Sequence, residues 1–277
     1  MLNRISLAIL SLLLLTASTP NDEIDELVTA GVVPPAARQG EHRLNPANPA
    51  EPVLILPDLR TLPPVDLQLQ LFPGSGIRRL RFANTIWNSG PGDLDVHATA
   101  FALPNTVRVR QYIPTMEGDP ILQEAGIFDF HEAHGHWHWE GFGLYEVLSV
   151  AETGRLGDIV AASDKIGYCL IDVDPHPDLD EEQVSDPFYT SCAWRRQGIS
   201  SGWTDTYEAH IGGQYVDISD LPDGLYALRS TVDPDNIIIE FDETNNSSLV
   251  YFYLYGDNLI VMGARYVQPL PPPGHEE

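Results

Sequence analysis

Along most of the chain, apolar and polar positions alternate in short runs broken by Gly, Pro, Asn or Asp. "IRRLRFANTIWN" (77–88), "TVRVRQYI" (106–113), "FGLYEVLSV" (142–150), "QYVDIS" (214–219), "GLYALRSTVD" (224–233) and "SLVYFYLYG" (248–256) each read as a strand. No long 3.6-residue period and no internal repeat interrupts them. The pattern therefore predicts an all-β, β-sandwich-like single domain with long loops over residues 51–268. Residues 20–50 mix charge, Pro and Ala without period and read as a flexible arm, and 269–277 as a Pro-rich tail.

The N-terminus departs from this pattern. An apolar run from Ile5 to Leu15 follows Arg4 and ends at the small residues Ala17, Ser18 and Thr19. Such a run is too short for a bilayer, which takes about 20 residues. It predicts a secretory signal peptide over 1–19 and a secreted or periplasmic mature chain. No later run is long enough for a membrane span.

Charge narrows the partners. Fifteen basic residues against forty acidic ones leave a net −25, which argues against nucleic acid or an anionic membrane and favours cationic ligands. An acidic surface kept for solubility fits the same number. Only Cys169 and Cys192 occur, and in an exported chain a lone pair reads as one disulfide.

Four of nine histidines crowd into "FHEAHGHWHWEGF" (130–142). In a strand, residues two apart share a face, so His134, His136 and His138 converge as three imidazoles suited to copper or zinc. In an unbroken strand His131, three positions earlier, faces away, which makes it outer-shell or unrelated. The metallo-β-lactamase pattern needs Asp where His138 stands. A cupin pattern accommodates His134, His136 and Glu140, but meets Val147 where Gly is expected and leaves His138 without a role.

Lys165 is the chain's only lysine, set in "KIGYCL". Further on come "QGISSG" (197–202), "DTY" ending at Tyr207, "QYVDI" (214–218) and "EFDETNN" (240–246). Together with the three alternating histidines, in this order, these motifs resemble the catalytic domain of the lysyl oxidase family from about residue 54 to 256. The resemblance implies copper on His134, His136 and His138. It also implies a lysyl tyrosylquinone, a cofactor built by cross-linking Lys165 to Tyr207.

The implied activity is oxidative deamination of peptidyl lysine or another cationic primary amine by molecular oxygen, giving aldehyde, ammonia and hydrogen peroxide. Glu140 and Asp205 are candidates for the base. Some family members hold calcium; the matching positions are Asp58, the carbonyl of Leu59, Glu240, Asp242, Asn245 and Asn246. The chain departs from animal members in its cysteines. The one that would precede the copper histidines is Ala133, so Cys192 is paired with Cys169. A non-catalytic copper or calcium module and a cupin-like oxygenase are the competing readings.

Overall fold

A computed structural model describes residues 42–44, 48 and 50–266. The segments expected to be a signal peptide (1–19), most of a flexible arm (20–41) and a Pro-rich tail (269–277) lie outside the described residues. In chain order the strands are β1 (Leu59–Thr61), β2 (Val65–Phe72), β3 (Ile77–Asn88), β4 (Leu94–Leu103) and β5 (Thr106–Ile113). They continue as β6 (Ile121–His131), β7 (His136–Val150), β8 (Leu156–Ala162), β9 (Ile166–Tyr168), β10 (Asp174–Pro175) and β11 (Arg196–Ile199). The last are β12 (Trp203–Tyr207), β13 (Tyr215–Asp217), β14 (Gly224–Val232), β15 (Ser247–Tyr255) and β16 (Asn258–Tyr266). Among the described residues no helix is long and apolar enough to cross a membrane.

The strands form two antiparallel sheets. The smaller runs β1-β3-β12-β10, with β2 and β13 also on β3; the larger runs β11-β4-β5-β6-β7-β14-β15-β16, with β8 and β9 also on β7. Alternation places Leu80, Phe82 and Val216 of the smaller sheet against Tyr145, Val147, Leu228, Val250 and Phe252 of the larger in one core cluster. A second cluster joins Leu59, Ile86, Trp203 and Tyr207 to Val96, Val107, Phe128 and Trp139. The two sheets thus face one another across a shared apolar layer. Burying one such side chain is worth about 1.5–3 kcal/mol, so this layer holds the two sheets together.

Strand β7 organises the functional end of the molecule. Its first residues pair with β6, Trp139 and Gly143 pair with β9, and Gly143 to Ser149 pair with β14. The register on β9 slips between Trp139 and Gly143. Gly141, at φ +76°, sits in that slip, where a side chain would be strained. Gly167 of β9 lies so close that a Cβ there would meet the Glu140 Oε1 at 2.8 Å. Glycine at both positions lets the strand that follows Lys165 lie directly on the histidine strand.

Candidate active site

Histidines reach the site from a hairpin, and the unbroken strand expected from the sequence is not there. β6 ends at His131, residues 132–135 turn, and β7 begins at His136, with Gly135 at φ +74° reversing the chain. His131 and His136 are therefore directly opposite each other. The expectation that His131 faces away is overturned: its ring stacks on His138 at 4.2 Å, and its Nε2 lies 2.8 Å from Glu140 Oε1. His134 belongs to the turn, while His136, His138 and Glu140 share a face of β7 by strand alternation.

The ring nitrogens converge on His138. Its Nε2 is 2.8 Å from His136 Nε2 and 3.2 Å from His134 Nδ1. Imidazole nitrogens bond a first-row metal at about 2.0–2.1 Å. Two ligands at right to tetrahedral angles on one ion then lie about 2.8–3.4 Å apart, so His138 with His136, and His138 with His134, each fit neighbouring ligands on one copper-sized ion. The three histidines whose nitrogens all lie within 4.8 Å of one another are His131, His134 and His138, so His131 joins two of the expected ligands.

Burial, then the neighbouring His131, His136 and His134, pushes His138 down to about 3. Burial and His134 also lower His136. Both rings are neutral at pH 7, with lone pairs available to a metal.

A cleft of about 260 Å³ opens beside these rings, lined by His131, His134, His138, Glu140, Lys165, Tyr207, Gly212 and Gly213 among others. Lys165 lies just before β9 of the larger sheet, and Tyr207 ends β12 of the smaller one, where it pairs with Asn84 of β3. The cleft thus lies where the two sheets meet. The Tyr207 hydroxyl accepts the Cys169 N–H at 2.8 Å, and its ring lies 4.2 Å from that of Tyr168. Burial, then the charge of Asp205, pushes its phenol up, so it is neutral at pH 7. Lys165 Nζ donates to both oxygens of Asp235, at 2.5 Å for Oδ1.

Cys169 and Cys192 are joined in a disulfide, Cα to Cα 5.3 Å. The bond pins β9 to the segment whose Cys192 carbonyl accepts the Trp137 N–H at 3.3 Å. It thereby ties the lysine, tyrosine and histidine strands together. The two base candidates part company. Glu140 lines the cleft, whereas Asp205 is buried behind Tyr207 and burial raises its carboxyl well above the usual range.

The oxygen-rich positions also meet. Leu59 N–H donates to Glu240 Oε2 at 2.6 Å, Asn246 Nδ2 to Glu240 Oε1 at 2.6 Å, and Asn245 Nδ2 to Asp58 Oδ1 at 3.0 Å. Asp242 accepts the N–H and hydroxyl of Thr244. At Leu59 the recorded link to this cluster runs through its N–H, where the expectation had been its carbonyl. Asp233 and Glu243, which no motif marked, bring carboxylate oxygens within 4.8 Å of Glu240. Burial raises the carboxyls of Asp233, Glu240 and Glu243, and the amide oxygens of Asn245 and Asn246 are buried without a partner. Unsatisfied oxygens beside crowded carboxyls fit a hard cation such as calcium.

The lysyl oxidase family pattern matches residues 107–264. Pig protein-lysine 6-oxidase is 32% identical over 168 residues, covering 59% of this chain and 60% of the relative. The human protein-lysine 6-oxidase is 34% identical over 168 residues, 59% of this chain and 36% of the relative. Human lysyl oxidase homolog 1 is 35% identical over 120 residues, 43% of this chain and 19% of the relative. The chain thus spans from about a fifth to three fifths of the length of these relatives.

Proposed function

The chain belongs to the lysyl oxidase family, and from that premise we propose that it is an exported, copper- and quinone-dependent amine oxidase acting on peptidyl lysine or small primary amines. The observation that carries this reading is the cleft itself: converging imidazoles, the sole lysine and a tyrosine from the opposite sheet line one space. Copper and a lysyl tyrosylquinone made from Lys165 and Tyr207 would supply the oxidising power, taking two electrons from the amine's α-carbon and returning them to dioxygen as hydrogen peroxide.

The chain's own groups account for the rest. His134, His136 and His138 would hold the metal beside His131, with His136 and His138 kept neutral by burial. The Cys169 N–H fixes the rotation of the Tyr207 ring about its hydroxyl. Lys165 can serve as the ring's nucleophile where Arg cannot, because a guanidinium stays protonated. Glu140, facing the cleft with His131 at its Oε1, is placed to accept the α-proton. Gly212 and Gly213 leave that part of the wall without side chains, which makes room for an extended amine. The −25 net charge suits capture of cations, and calcium at the Glu240 cluster would brace the loop that follows β14.

Parent and Lys165→Arg are to be loaded with copper in air, digested and examined for a peptide joining 165 to 207. Copper should bind both proteins alike, because Lys165 is not a ligand. The joined peptide and peroxide release from primary amines should appear in the parent alone, and Tyr207→Phe should repeat the loss. Amine turnover by Lys165→Arg would refute the quinone assignment. A parent without the joined peptide would make the chain a non-catalytic copper or calcium module of the same fold.

A further inference from the structure

We propose that Asp235 is the carboxylate that docks the substrate ammonium in the mature site, and that Lys165 occupies it only until that lysine is consumed in the cross-link. The inference rests on the lysyl tyrosylquinone reading above. Its starting point is the partner of the only lysine. Nζ of Lys165, which lines the cleft, meets both oxygens of Asp235, and the two side chains are 44% and 47% exposed, so the carboxylate is open to solvent. Among the described residues, Lys165 is the one hydrogen-bonding partner recorded for Asp235.

The second observation is that Asp235 is held without help from Lys165. It sits in a turn after β14 closed by Asp233, whose backbone carbonyl accepts the Asn236 N–H at 3.0 Å. The Asp233 carboxylate accepts the Ile237 N–H at 3.0 Å and the Ile238 N–H at 2.8 Å. Asn236 adopts φ +50°, a conformation that asparagine tolerates better than most residues. Withdrawing Lys165 therefore leaves the backbone that carries Asp235 in place.

Cross-linking withdraws it. Dioxygen first converts the Tyr207 phenol to an o-quinone, one oxygen atom entering the ring and the other leaving as water. Nζ of Lys165 then adds to a ring carbon: one C–N bond forms, and one N–H proton and the ring C–H proton end on the two ring oxygens. Dioxygen then takes two electrons and two protons and leaves as hydrogen peroxide. The lysine nitrogen is now conjugated with the ring and no longer an alkylammonium. Asp235 has lost its counter-ion at the moment the cofactor becomes competent. The group it held, a primary ammonium on a four-carbon stem, is that of a lysine substrate. The Lys165–Asp235 pair before maturation is an internal stand-in for the enzyme–substrate pair.

The test uses copper-matured parent, Asp235→Asn and Asp235→Glu, with n-butylamine as substrate and hydrazine titration to count quinone. An ion pair this exposed contributes little, so KM in Asp235→Asn should rise about three- to tenfold with kcat held within about twofold. Quinone content should equal the parent's, and Asp235→Glu should recover most of the KM. An unchanged KM at full quinone content would overturn the proposal, as would a loss confined to kcat. If Asp235→Asn forms no quinone while the parent does, the carboxylate serves maturation and the docking role is wrong. If the parent itself forms none, the family mechanism fails and this inference falls with it.

Discussion

The histidine hairpin and the acidic cluster around Glu240 both gather ligand atoms, but they answer the problem of an absent ion in opposite ways. In the hairpin the donors are imidazoles, and burial and the neighbouring rings keep His136 and His138 neutral, with His138 pushed to about 3. A neutral cluster can stay assembled without metal. In the cluster the donors are carboxyls, and neutrality there requires either protons or a cation, because like charges at this spacing in a buried site oppose one another. The hairpin should therefore be a site whose metal matters to chemistry, and the acidic cluster one whose metal matters to folding.

The largest break in that contrast is expected at His138. Removing the ring on which His134 and His136 converge breaks both close nitrogen pairs at once. His138→Ala should fall from one copper per chain to none after dialysis and form no 165–207 cross-link. Its thermal midpoint without added metal should drop only by the cost of the lost packing, about 1–2 kcal/mol or a few degrees. Full copper retention in that variant, by metal analysis, would reassign the site to His131 and its neighbours.

Calcium gives the next largest effect and reverses the pattern. A ligand at a hundred times its Kd adds about 2.7 kcal/mol to stability. In a domain of this size that raises Tm by about 5–10 °C. The parent should show such a rise on adding calcium, and chelator should reverse it. Glu240→Gln should abolish the calcium response while leaving copper stoichiometry intact. Equal Tm with and without calcium in the parent would show that the cluster is filled by protons alone.

The contrast also shows where the sequence was informative. Strands β3 and β5 were legible to the residue, because "IRRLRFANTIWN" and "TVRVRQYI" keep a two-residue period between clear turn signals. β6 was missed: "ILQEAGIFDFH" carries charges on a half-exposed sheet and a glycine at φ +84°, which blur its alternation. The same reasoning misplaced His131. Alternation was extended through "HEAHGH", although Gly135 inside it was the available sign of a turn. Asp235 left no local trace, since its contact with Lys165 spans 70 positions and involves no motif. Asp233 and Glu243 were similarly hidden: only the folded loop turns a string of scattered acids into one cluster.

The smallest effect, and the one that sharpens the contrast most, belongs to Asp205. It is a buried acid like Glu240, yet among the described residues it belongs to no group of three or more metal-ligand side chains. Burial is the main cause of its raised pKa, opposed by a hydrogen bond from the Ile171 backbone and reinforced by Asp172. With no cation to take, Asp205 must hold a proton or bear an uncompensated charge. The folded chain keeps that proton to higher pH than the unfolded chain, whose carboxyl titrates near 3.8. The stability it contributes is therefore complete below about 3.8 and is lost as pH rises through the folded value. Asp205→Asn removes this slope while preserving the acceptor for the Ile171 N–H. Urea midpoints of parent and variant should agree near pH 4 and separate in the variant's favour toward pH 7.5, by an amount on the order of 1 kcal/mol. Calcium should not narrow the gap, because Asp205 is not part of that cluster. A gap that closed on adding calcium would mean the two acids are linked, and parallel midpoints across the pH range would mean that Asp205 ionises in the fold as freely as in the unfolded chain.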